Sequence, residues 1–257
     1  GCQATGGIHT DWQDVPDWEN IGYPIVDFAP SGSFRVGKPA GTGGLVNVRT
    51  VAEQILYEVG DPARYVLPDV VCDFTSVRVR QVAPDEVEVT GARGLPAPAT
   101  CKVSATYQQG FRCTAQLSVF GIDAVAKAER TGRALLNRVA AMLAERGLPA
   151  FEKTAVTVLG AEQSYGPHAR ALAPREAMVR VSAMHASADA LGILARESRA
   201  PGVSWAPGTT SGSALALNGK PAVEPVYRLF SCLVDKANLP APRVVLGEHS
   251  HDVPLDR

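Results

Sequence analysis

The stretch from Lys38 to Pro62 constrains this chain most, because it joins a glycine-rich loop to a short segment with helix start and stop signals. Lys38-Pro39-Ala40-Gly41-Thr42-Gly43-Gly44 supplies glycines, whose missing Cβ lets backbone N–H groups approach a ligand, and a lysine that adds positive charge. Those are the means to hold an anion. No Gly-Lys-Ser/Thr follows at the spacing of an ATPase phosphate loop. Leu45 to Arg49 separate the loop from the helix, so the helix dipole need not face a bound group. The residues leave a second reading open, a tight turn between two strands with a solvated lysine. Beyond the loop, Thr50 and Glu53 stand at capping-box spacing ahead of an apolar run. Gly60 is placed for a left-handed stop, and Asp61-Pro62 prevents the helix from continuing.

The rest of the chain reads as an ordinary globular sequence. Its 257 residues are 46% hydrophobic and 20% charged, enough for a sizeable core in one large or two small domains. A formal net charge of -1, without a lysine or arginine run, argues against nucleic acid or an anionic membrane surface as the main partner. No apolar stretch approaches the roughly 20 residues of a membrane span. The five cysteines, Cys2, Cys72, Cys101, Cys113 and Cys232, are scattered and form no Cys-x-x-Cys pair. That pattern fits reduced thiols in a cytoplasm better than a zinc or disulfide framework. Cys72, Cys113 and Cys232 lie in apolar runs and are expected to be buried small hydrophobes.

Taken in order, Ile25–Phe28 and Ser33–Val36 read as strands around Pro30-Ser31-Gly32. An acidic, aromatic loop holds Trp12, Asp14, Asp17, Trp18 and Glu19, and His9 beside it is a candidate general base or an unremarkable loop histidine. Val70 to Val79 and Glu86 to Gly91 are expected to form a hairpin turned at Ala83-Pro84-Asp85. Leu95-Pro96-Ala97-Pro98-Ala99 is a stiff connector and the expected boundary between residues 1-95 and 96-257. Lys102 to Tyr107 and Phe111 to Phe120 read as a second hairpin turned at Gln108-Gln109-Gly110. A helix follows between Asp123 as N-cap and Gly147 as stop, with Val125, Ala128, Gly132, Leu135, Leu136, Val139, Met142 and Leu143 as its apolar stripe. Arg130, Arg133, Arg138 and Arg146 fall off that stripe and read as a solvated face. Strands are expected at Thr154–Leu159 and Ala177–Ala183, and a helix capped by Ser187. The glycine- and serine-rich stretch from Val203 to Ser213 reads as a lid or a linker. Val223 to Val234, apolar on both faces, reads as a buried strand, with a helix as the alternative. The expected fold class is α+β: mixed or antiparallel sheets with helices packed on one face, preceded by a glycine-rich α/β segment.

Chemistry has three further candidate seats besides the loop. Asp69 and Asp73 flank a strand-like segment and could hold a metal or act as acid/base groups; the alternation does not show that they converge, so acid/base is the role assigned and no metal site is. Glu162-Gln163-Ser164-Tyr165-Gly166-Pro167-His168 offers a carboxylate, a phenol and an imidazole beyond a strand end. The stretch around Trp205 is the last. No Gly-x-Ser-x-Gly elbow, His-Glu-x-x-His or dinucleotide fingerprint occurs, which disfavours serine hydrolysis and hydride transfer.

Three groups of residues resemble the acyclic terpene utilisation (AtuA) family: Lys38-Pro39-x-Gly41-Thr42-Gly43-Gly44; Thr50-Val51-x-Glu53-Gln54-x-Leu56-Tyr57-Glu58-x-Gly60-Asp61-Pro62; and Tyr65 with Pro68-Asp69-Val70-Val71-x-Asp73-Phe74. Ala4-Thr5-Gly6-Gly7 and Gly22-Tyr23-Pro24-Ile25 before them, and Tyr107-x-x-Gly110-Phe111 after, extend the resemblance to about Leu246. Family members carry a further α/β portion, so the resemblance implies that this chain is a C-terminal part. Residues 1-95 would then complete an α/β domain whose beginning is absent, and 96-257 would form an α+β domain. It also implies a role in degrading branched, terpene-like acids and alcohols, carried as coenzyme A thioesters. The class that fits is a lyase or hydratase without a cofactor of its own. In that reading Lys38, Gly41, Thr42, Gly43, Gly44 and Tyr165 bind the substrate, and Asp69, Asp73 or His168 moves a proton. The alternative is a non-catalytic assembly or binding domain that partners an N-terminal portion or another subunit.

Overall fold

The computed structural model describes residues 2–7, 12–170, 173–211 and 220–253, with backbone alone at Cys2 and Ser211. The chain divides into two compact units, Gly1–Val103 with Ser231–Arg257, and Ser104–Phe230.

In the first unit, β1 (Ile25–Phe28) and β2 (Phe34–Gly37) form the expected hairpin, with Gly32 at φ +84° in its turn. Helix α1 (Val48–Leu56) starts earlier than the Thr50 signal implies. Asn47 is the N-cap: its Oδ1 accepts from Arg49 N–H and Thr50 N–H, while Thr50 Oγ1 accepts from Asn47 N–H. The capping box is therefore Asn47/Thr50, one turn ahead of Glu53. At the other end Glu58, at φ 58°, adopts the left-handed conformation expected of Gly60.

The Val70 to Val79 segment, expected as one strand, is cut in two. After β3 (Tyr65–Val66), β4 (Val71–Asp73) ends where Asp73 Oδ1 accepts from the amide and hydroxyl of Thr75 at 2.9 and 2.6 Å. A carboxylate that captures its own chain two residues on folds a turn in competition with the sheet. The expected hairpin survives as β5 (Arg78–Ala83) and β6 (Glu86–Thr90), with Asp85 left-handed in its turn. A sheet ordered β1-β2-β6-β5 and a smaller one, β3-β4 with β7 (Arg93–Leu95), are antiparallel throughout. The core beneath is small and rich in valine: Ala4, Val36, Val46, Val51, Val87 and Val89.

The second unit is layered. Strand β8 (Thr100–Phe120) enters it and runs on without reversing. It is followed by α2 (Ala124–Glu145), β9 (Lys153–Leu159), β10 (Glu176–His185), α3 (Ala188–Glu197), α4 (Pro201–Ser204), β11 (Thr209–Ser211) and β12 (Val223–Asp235). The sheet order is β11-β8-β10-β9 with antiparallel neighbours, and β12 also pairs with β8. On β10, Ala177, Val179, Val181, Ala183 and His185 are buried, while the side chains between them are half-buried. The buried set joins Ala128, Leu135, Val139 and Leu143 of α2 and Ala190, Leu191 and Leu194 of α3 in one core, so both helices cover one face. Gly132 lets α2 lie close on the sheet, since an added Cβ would stand 3.0 Å from Val179 Cγ2. The expected α2 stripe and its stop are observed: Gly147 has φ +64° and its N–H donates to Ala144 O. A final hairpin, β13 (Arg243–Leu246) and β14 (His249–Asp252), belongs to the first unit.

Expectations fail at three places in this part of the chain. The hairpin at Gln108-Gln109-Gly110 does not form; Gly110, at φ +64°, kinks β8 where an added Cβ would stand 2.9 Å from the His185 carbonyl. The strand continues because its two halves take other partners, β10 for Phe111–Phe120 and β12 elsewhere. The Ser/Gly stretch is partly regular, holding α4 and the edge strand β11, and residues 212–219, with Ser213, lie outside those described. Strand β12 is a strand as expected but exposed, with Leu229 62% and Leu233 70% accessible.

Candidate functional site

The glycine loop is tied into the first unit by its own amides. Thr42 N–H donates to Pro39 O, Gly43 N–H to Asn20 O, Gly44 N–H to Pro16 O, Leu45 N–H to Thr5 O and Val46 N–H to Asp85 Oδ1. Donors turned toward protein carbonyls are not aimed at an anion. The glycines have steric reasons of their own. An added Cβ at Gly43 would collide with Asp17 O, and at Gly44, held at φ +92°, it would lie 2.6 Å from Thr5 O. Gly41 is also left-handed, at φ +75°, with open space around it. Lys38 points inward. Its ammonium donates to Thr42 O at 2.7 Å and stands 3.4 Å from Asp85 Oδ2, with the side chain 10% exposed. Asp85 thus ties Lys38 to Val46 from a distant hairpin turn, and nothing in its local sequence signals that role.

The candidate carboxylates stand apart from this latch in their contacts. Asp69 lies exposed in the bend between β3 and β4. Asp73 is held below the usual carboxylate range, first by the Thr75 hydroxyl, then by the Thr75 amide, with Arg93 adding to the effect. An ionised carboxylate already accepting two hydrogen bonds is a weak proton acceptor. His9 lies outside the described residues.

Tyr165 and His168 belong to the second unit, on the 3-10 turn Gln163–His168. Val158 N–H donates to Gln163 Oε1 at 2.7 Å and Arg170 N–H to Glu162 Oε2 at 2.6 Å, so both anchoring side chains are occupied. Tyr165 is 64% exposed and His168 is exposed beside it. A buried histidine that sequence reasoning passed over, His185, is structural. Ser187 N–H donates to its Nδ1 at 2.8 Å, which leaves the proton on Nε2 to donate to Pro149 O at 3.0 Å. Cys113 is buried as expected, and burial pushes its thiol up to about 11. Cys72 and Cys232 are only half-buried. Among the described residues no cluster of His, Cys, Asp or Glu is placed to hold a metal ion, and no described helix is long and apolar enough to cross a membrane.

One concavity of about 530 Å³ lies in the second unit, between α2 and the Trp205–Pro207 turn. Lys127, Arg130 and Thr131 line one side, and Ala134, Trp205 and Pro207 give it an apolar floor. Lys127 Nζ donates to Phe120 O at 3.1 Å and Pro207 O at 2.9 Å, pinning the turn against the helix. Arg133 and Arg138 are engaged by Glu129 and Glu197, whereas Arg130 stands exposed at the rim. The sequence placed Arg130 correctly off the core stripe, but the approach of Trp205 to α2 has no sequence signal.

The strand order β11-β8-β10-β9, with helices on one face, makes the second unit a ferredoxin-like β-α-β-β-α-β module within an α+β chain. The family model of the acyclic terpene utilisation family protein AtuA matches residues 1–245, nearly the whole chain. The chain belongs to that family. No curated protein and no solved structure matches it.

Proposed function

We propose that this chain serves acyclic terpene utilisation by holding a branched acyl thioester, of the coenzyme A kind, in the cleft beside α2. The cleft's chemistry is the observation that carries the reading. Arg130 offers a rim cation for a phosphate, and Trp205, Ala134 and Pro207 offer an apolar surface for the acyl chain. In this reading the glycine loop, with its amides turned inward, is scaffold, and Lys38 supports it from within. Tyr165 and His168, both exposed on one turn, are the groups a lyase or hydratase step would use to move a proton.

Calorimetric titration with a branched-chain acyl-coenzyme A tests the seat. Trp205→Ala and Arg130→Glu are each expected to weaken binding at least about tenfold. Wild-type affinity in both variants would remove the cleft from the reading. The second reading, an assembly domain, is favoured by one observation: Tyr227, Leu229 and Phe230 of β12 are 64%, 62% and 59% exposed.

A further inference from the structure

The helices α2 and α3 cover one face of the second unit's sheet. On the other face β10 presents Glu176, Met178, Arg180 and Ser182 at alternate positions, and the register sets Phe120, Ser118, Gln116 and Thr114 of β8 beside them in that order. Across the β9 ladder, Leu159, Thr157 and Ala155 stand beside Met178, Arg180 and Ser182. Glu176, Gln116, Ala155 and Leu159 are exposed, Leu159 at 42%, whereas Met178 and Arg180 are half-buried. Arg180 is the anomaly on this face. Its Nε is buried with no hydrogen-bond partner, and among the described residues the side chain makes no ion pair. A desolvated guanidinium nitrogen left unpaired costs stability. Its cross-strand neighbours, Gln116 and Thr157, offer no carboxylate. Glu176 lies on the same face four residues along the strand, about 13 Å away and out of reach.

We infer that this face is a homodimerisation surface, on which the sheet packs face to face with that of a second copy about a two-fold axis crossing β10 at Met178. The charges select both the occupant and the axis. Along β10 the order Glu176, Met178, Arg180 reverses in sign about Met178. An axis lying between the sheets, perpendicular to the strands, therefore sets Arg180 opposite Glu176 of the other copy and Glu176 opposite its Arg180. Symmetry makes the pair twice, and both unpaired charges gain a partner. An axis along β10 would instead bring Arg180 onto Arg180, which like charge opposes. Sheets packed face to face stand about 10 Å apart, a gap that an arginine and a glutamate side chain span together. On the chosen axis Met178 and Leu159 each meet their own counterpart, and Phe120 faces Gln116 of the other copy. The result is an apolar centre held between two charged pairs, the usual anatomy of an interface.

The test uses the full chain. Sedimentation at tens of micromolar is expected to give twice the 27.1 kDa chain mass. Glu176→Arg and Arg180→Glu each set like charges across the axis, and each should raise the dimer dissociation constant at least about a hundredfold. Mixed in equal amounts, the two variants should form a heterodimer, because every facing pair is then of opposite sign. The double variant should dimerise like wild type for the same reason. Leu159→Asp, which sets two carboxylates on the axis, should also dissociate the dimer. Circular dichroism should match wild type throughout. If Arg180→Glu fails to fold, Glu176→Arg and Leu159→Asp, both at exposed positions, still decide the matter. A monomeric wild-type chain overturns the inference. So does a dimer that withstands Glu176→Arg and Leu159→Asp, and so do two folded single-charge variants that stay monomeric on mixing. The inference is independent of the thioester reading, because a chain that binds no thioester still has a mass to measure.

Discussion

The first unit is threaded, whereas the second is layered. Around Gly43 and Gly44 the backbone passes within hydrogen-bonding distance of Thr5, Pro16 and Asn20, and Lys38, Asp85 and Val46 N–H close the passage over a small valine core. In the second unit, the leucines and valines of α2, α3 and the sheet make one continuous core. The difference teaches what each unit is sensitive to. Polar latches and missing side chains govern the first; buried volume governs the second.

Substitutions can break that comparison, and the largest effect is expected where volume is lost. Leu135→Ala, at a fully buried position, should lower unfolding free energy by about 2–5 kcal/mol in denaturant titration. A loss well under 1 kcal/mol would mean that the layered core collapses around the cavity. Gly43→Val should follow at about 1–3 kcal/mol, because its side chain has no room beside the Asp17 carbonyl. Leu135→Ala and Gly43→Val should each be read by hydrogen exchange, since each is expected to loosen its own unit first.

Lys38→Ala sharpens the contrast between scaffold and site. Loss of a charged donor to the Thr42 carbonyl should cost about 1–2 kcal/mol of stability while acyl-thioester binding stays at the wild-type value. Binding lost at unchanged stability would return the loop to the site. At high pH, Cys113 should matter next. Its folded value of about 11 lies above the ordinary thiol value of 9.0, so the unfolded thiol ionises first. Stability should therefore fall as pH rises from 9.0 toward about 11, and Cys113→Ala should flatten that decline. The smallest effect is expected at Asp73. Its carboxyl is lowered by Thr75, so its contribution is present above the ordinary carboxylate range and is lost as pH falls through the lowered value. Asp73→Asn should remove that acid limb from a melting-temperature profile.

Elements whose signals are local were legible. The α2 stripe and Gly147 stop follow from helical periodicity and chain stereochemistry, and so do the hairpins at Gly32 and at Asp85. Near misses were also local contests. Asn47 outcompeted Thr50 as cap because both the Arg49 and Thr50 amides reach its Oδ1, and Asp73 ended a strand by capturing Thr75. Of the candidate site, the exposed Tyr165–His168 turn was readable as a loop beyond a strand. The inward turn of Lys38 was not, because Asp85 meets it only after the β5–β6 hairpin has formed. Trp205 reaches α2 by the same kind of closure.

By itself the sequence determined the family, the α+β class and the helix that covers the second unit's sheet, since motif identity and periodicity are properties of neighbouring residues. Tertiary structure alone decided that Gly110 kinks a strand instead of reversing it, that the glycine loop's amides face inward, and that β12 is exposed along its apolar length. Each of these depends on which distant strand or carbonyl arrives alongside. A left-handed glycine, a free amide or an apolar strand is compatible with several partners, and only the closed chain selects among them.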